Sequence, residues 1–86
     1  MKIGDIVVSI CGHDIGEWYI VSEVNENFVY LIDGKNKPIL KPKKKKNKHV
    51  AKLNLFAENI ANKLAQGAYL QDAEVRKTLK FFKNNY

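Results

Sequence analysis

The hydrophobic period of this chain changes once, near Leu53. Before that point, short β-branched runs alternate with turn residues. After it, Leu53, Phe56, Ala57, Ile60, Ala61 and Leu64 recur at spacings of three and four. A strand buries alternate residues and a helix buries one stripe, so the switch marks a β part followed by a helical part. The expected division is residues 1–53 and residues 54–86. Eighty-six residues leave room for one domain, with the helical part packed on the β part. A chain this short buries roughly 60–65% of its unfolded surface, so its core is thin.

The β part resolves into five short runs. "DIVVSI" (5–10) is β-branched, and "CGHDIG" (11–16) is a turn with Gly12 and Gly16. "EWYIVSEV" (17–24) places Tyr19 and Val21 on one face, with Trp18 and Ile20 on the other. "FVYLI" (28–32) follows the turn "NEN", and "DGKN" (33–36) is the strongest turn signal of the chain. "KPIL" (37–40) reads as a short fourth strand beginning near Pro38, and "HVAKL" (49–53) as a fifth. Five short strands with tight turns and one long loop fit a small closed or nearly closed β-barrel. In the helical part, Asn54 is the expected N-cap of the first helix and Gly67 its stop. Asp72 caps a second helix whose stripe is Val75, Leu79 and Phe82.

Charge is concentrated in the last third of the β part. Residues 35–52 hold nine lysines and no acid, a local charge of +9. The remaining residues hold six basic and nine acidic groups, so the net +6 comes from one patch. Six of those lysines lie between Lys41 and Lys48, expected as a solvated loop that projects from the barrel. A polyanion, RNA or DNA before an anionic membrane, is the natural partner of such a patch. The plain alternative is a lysine-rich loop that only maintains solubility. Lysine brings point charge without planar bidentate recognition, and Arg76 is the single arginine. Backbone and shape recognition is therefore expected over base reading.

Other classes of function find less support. Cys11, His13 and Asp14 lie within four positions, but closeness in sequence does not arrange a nucleophile and a base in space. Cys11, His13 and His49 lack the paired spacing of zinc sites, so no metal or other cofactor is expected. No apolar run approaches the ~18 residues of a membrane span. Met1 leads directly into a strand-like pattern, so no signal peptide is expected. One cysteine cannot form an internal disulfide, which fits a reducing cytoplasm. Trp18 has two readings: it packs with Ile20 under the helices, or it stacks on an unpaired base.

"GDIVVSICGHDIGEWYIVSEV" resembles a KOW motif, a strand–loop–strand signature of several ribosomal proteins and transcription elongation factors. The matching residues are Gly4 to Val8, then Gly12, Asp14 and Gly16, then Val21 and Val24. "FVYLIDGKNKPILKPKKKKNKHV" and the tail "AEVRKTLKFF" are similar to small bacterial KOW-domain RNA-binding proteins of the ribosomal fourteen-E-like type. The resemblance implies an SH3-like barrel with a helical extension that binds RNA. It departs from the family where basic residues often flank the glycine, because here stand His13 and Ile15 beside Asp14 and Glu17.

These readings together describe a mainly β protein with two short C-terminal helices and no enzymatic activity. It would act as a cytoplasmic monomer on ribosomal or other structured RNA, with no small-molecule substrate and no membrane partner. The expected contacts are Lys35, Lys37, Lys41, Lys43, Lys44, Lys45, Lys46, Lys48 and His49, with His13 and Trp18 beside them. The alternative is a protein-interaction module that docks acidic surfaces, as elongation-factor-like KOW domains do.

Overall fold

A computed structural model describes all 86 residues. Five antiparallel strands form one sheet: β1 (Asp5–Ser9), β2 (Trp18–Val24), β3 (Phe28–Ile32), β4 (Lys43–Lys46) and β5 (Val50–Phe56). Their order is β4-β3-β2-β1-β5, so β4 and β5 are the two edges. Two helices follow, α1 (Glu58–Gln66) and α2 (Asp72–Asn84).

Alternation along the strands loads both faces of the sheet. Ile6, Ile20 and Ile32 stand in register and pack with Ala57, Ile60, Val75 and Leu79 of the helical part. Val7, Tyr19, Val21, Val29, Leu31 and Val50 form a second buried cluster on the opposite face. The helices pack on the first face. Two bulges interrupt the pairing, and extra residues on one strand bend it and increase its twist. In β2 the partner register skips Ser22, whose hydroxyl donates to the Tyr30 carbonyl at 3.2 Å. In β5 it skips Leu53 and Asn54, since Lys52 pairs with Val7 and Leu55 with Ile6.

Several sequence expectations are corrected. "KPIL" is not a strand. The Asp33 carboxylate accepts from the backbone N–H groups of Lys35 and Lys37, curling this segment into turns. The Ile39 N–H donates to the Asp72 carboxylate at 2.8 Å, so Asp72 does not cap α2 as expected; its N-cap position is Gln71. Second, Lys41–Lys48 is not a projecting loop. Its centre is β4, paired with β3 from Phe28↔Lys46 to Leu31↔Lys43. Third, the first helix starts at Glu58, because β5 continues through Phe56. Asn54 is not its cap but the bulge residue, at φ 59°, a left-handed conformation that asparagine tolerates better than most side chains. Gly67 does end α1 in the left-handed region. No helix is long and apolar enough to cross a membrane.

Polar contacts fix the helices to each other and to the sheet. Lys63 pairs with Glu74 between α1 and α2, and that contact holds the Glu74 carboxyl below its ordinary range. The Arg76 guanidinium donates to the Gly34 carbonyl at 2.6 Å. Gly34 is buried at φ +75°, and a Cβ there would meet the Asp72 carbonyl oxygen and the Arg76 backbone. Gly16, at φ +91°, has open space where its Cβ would be. Gly34→Ala therefore combines backbone strain with a clash against α2, and a loss of about 2 kcal/mol or more is expected. Gly16→Ala adds only the strain, about 1 kcal/mol. Urea unfolding midpoints compare the two, and equal losses would refute the close seating of α2 on Gly34.

Candidate nucleic-acid interface

Strand alternation sorts the lysines of β4 into two sets. Lys43 and Lys45 pair with Leu31 and Val29, so they share the face of the second cluster. Lys45 is buried, at 8% exposure. A buried ammonium needs a charged, hydrogen-bonding partner, and Asp14 provides it. Lys45 Nζ lies 2.6 Å from Asp14 Oδ1, and Lys43 Nζ lies 3.0 Å from Oδ2. Ser9 Oγ donates to Oδ1 and Tyr19 Oη to Oδ2, both at 2.8 Å. Lys45 also donates to the Cys11 carbonyl at 2.7 Å. The loop of residues 11–16 is thus pinned to the edge strand, 31 residues further on at Lys45.

Burial alone would raise the pKa of Asp14. Hydrogen bonds from Lys45, Tyr19, Ser9 and Lys43 outweigh it, and the carboxyl lies well below its ordinary value of 3.8. Burial and the Asp14 carboxylate raise the Tyr19 phenol above its ordinary value of 10, so it remains a donor. The carboxylate is fully engaged in holding the fold. Cys11 and His13, its neighbours in "CGHD", are exposed. No three or more metal-ligating side chains cluster anywhere in the chain.

Lys44 and Lys46 take the opposite alternation and are exposed, as are Lys41 and Lys48 on either side. The Lys44 ammonium sits 4.2 Å from the centroid of the Phe28 ring. Beside it lies a recess of about 440 Å³ lined by Asn27, Phe28, Lys46, Asn47 and Lys48. His49 is half-buried in the 3₁₀ turn between β4 and β5, and its carbonyl accepts from Ile10.

Three further residues expected at the interface lie elsewhere. Trp18 and Lys35 line a separate cleft with Arg76, Lys80 and Lys83, beside the acids Glu17 and Asp33. Trp18 packs against the helix-facing core, with Tyr86 edge-on at 5.1 Å. Lys37 is half-buried in the turn closed by Asp33. Sequence reasoning missed Asp14 as the partner of Lys43 and Lys45, and it missed Asn27, Phe28 and Asn47. A strand period applied to the lysines would have divided them into two alternating sets without showing which set faces inward. The basic residues of α2 carry a visible signal, recurring at positions 76, 80 and 83.

No protein-family model matches the chain, and no curated protein matches it with significance.

Asp14→Asn removes the charge that balances Lys45, and breaking a buried pair in this way costs about 3 kcal/mol. The sign of the pH dependence follows from the lowered pKa. Stability from Asp14 is complete above its unfolded value and is lost as pH falls toward the folded one. The stability gap between the parent protein and Asp14→Asn should therefore be full above about pH 4 and close below it. Urea midpoints across that range check this, and a gap unchanged down to about pH 2 would contradict it.

Proposed function

We propose that the protein is a non-enzymatic RNA-binding module that contacts the phosphate backbone of structured RNA, ribosomal RNA foremost, through its lysine edge. The five-stranded sheet is read as an SH3-like barrel of the KOW type, working as a cytoplasmic monomer without cofactor. The observation that carries this reading is the outward set of lysines on a rigid strand. Lys44 and Lys46 lie two residues apart on one face, about 6.7 Å along the strand. That is close to the separation of successive phosphates in a nucleic-acid strand. Lys48 and Lys41 extend the charged row at either end. Because β4 is hydrogen-bonded to β3, binding does not require this segment to order, so little entropy is lost there.

Docking on an acidic protein surface is the competing use of the same charge. Nuclease treatment of a lysate pull-down separates the two, since RNA-dependent retention disappears and protein-dependent retention survives.

Four exposed lysines, each releasing roughly 0.7 to 0.9 counterion per phosphate, give a log–log salt slope of about −3. Lys44→Gln, Lys46→Gln and Lys48→Gln together should reduce its magnitude to about 1 or less with little change in melting temperature. Lys43→Gln and Lys45→Gln should instead lower stability, because they face Asp14. The measurement is a titration against a ribosomal RNA fragment and a scrambled control at several salt concentrations. A slope unmoved by the triple substitution would remove the strand edge from the mechanism.

A further inference from the structure

We propose that the recess beside β4 holds one unpaired nucleobase, with Phe28 as its stacking surface and Lys46 and Lys48 on the adjoining phosphates. This rests on the RNA-binding reading and adds to it a site for an extruded nucleotide. The recess measures about 440 Å³, within the range of about 300–1,000 Å³ typical of small-molecule sites. Four of its five lining residues are polar, and the fifth is aromatic. An aromatic side chain among cations suits a flat, anion-bearing ligand.

The walls are held in place. Asn47 sits opposite the turn between β2 and β3, its backbone N–H donating to the Asn27 carbonyl and its Nδ2 to the Glu26 carbonyl, both at 3.1 Å. Lys44 lies against the Phe28 ring, so the ring is fixed by β4 as well as by its own strand. Asn47 Oδ1, by contrast, is buried and has no hydrogen-bond partner. An unpaired buried acceptor costs stability until a donor reaches it. Adenine, cytosine and guanine carry an amino donor at the edge of a flat ring. A rotation of the Asn47 amide that exchanges its bond to the Glu26 carbonyl for one to the base would give its oxygen such a donor, while the backbone bond to Asn27 stays in place. A phosphate alone offers neither the ring for Phe28 nor, when fully ionised, the donor for Asn47. The recess therefore selects a nucleotide that is not paired, whereas the row of lysines accepts any backbone.

The test uses an RNA hairpin with one 2-aminopurine in its loop and a fully paired duplex of equal length. Stacking on Phe28 should quench the fluorescent base when the parent protein binds. Phe28→Leu should abolish the quench and weaken hairpin binding about tenfold, within the range of one lost aromatic–base stack. Its duplex affinity and salt slope should be unchanged, because no charge is removed. Phe28→Tyr, which keeps the ring, should keep the quench and guards against a folding defect in the leucine variant. Equal quenching by Phe28→Leu and the parent protein would overturn the base site and leave the backbone reading standing. Failure of the parent protein to bind either RNA would overturn both.

Discussion

The Asp14 carboxylate is the contact on which the arrangement of this surface depends. It accepts from two lysines, a tyrosine and a serine, and so joins β1, β2, β4 and its own loop at one point. A strand of four consecutive lysines has no apolar side chain to bury. It can join a sheet only if its inward ammonium groups find a negative partner. Asp14 is that partner, and it neutralises the charge of the buried Lys45. Once Lys43 and Lys45 are fixed inward, the period of two sends Lys44 and Lys46 outward.

The helices solve the complementary problem on the other face. Ile6, Ile20 and Ile32 would leave an apolar band in water if the β part stood alone. Ile60, Val75 and Leu79 cover it. Leu53 and Leu55, two residues apart in β5, also pack against this core, and the chain leaves the sheet directly into α1. The Asp72 and Arg76 contacts then tie α2 to the segment before β4. The edge strand is thus held by Asp14 at its inner face, while the chain leading into it is held by α2.

Much of this was legible where apolar residues carry the period. The alternation in β2 separated Tyr19 and Val21 from Trp18 and Ile20, and these pairs do lie on opposite sides of the sheet. The stop at Gly67 and the stripe of α2 were equally plain. The errors share one physical origin, a partner distant in sequence. Nothing near Lys45 indicates that its ammonium is buried, because Asp14 lies 31 residues away. "KPIL" has the composition of a strand, but its Ile39 N–H is claimed by Asp72, 33 residues on. Leu53 and Phe56 mimic a helical spacing because a bulge lies between them. The candidate site was legible as charge and not as geometry: the lysines were visible, whereas their division into structural and exposed sets needed the register.

An edge strand invites pairing with another chain, and charged lysines are a common way to discourage it. Here that protection and the proposed interface use the same side chains. Lys44 and Lys46 repel a second copy of this strand, since any approach along the edge brings like charges together. A nucleic-acid backbone meets the opposite response, because its phosphates are attracted by those same charges. On the proposed reading, the β4 edge would distinguish partners before any close contact forms. Under the same proposal, distinction between paired and unpaired RNA would fall to uncharged neighbours, Phe28 and Asn47, which lie beside the lysine row and add nothing to long-range attraction. The placing of the outward lysines beside the Phe28 recess follows from one strand register. Because all four residues of β4 are lysines, a slip of one residue would exchange the inward and outward pairs and leave the edge charged, while moving Lys46 out of register with Phe28.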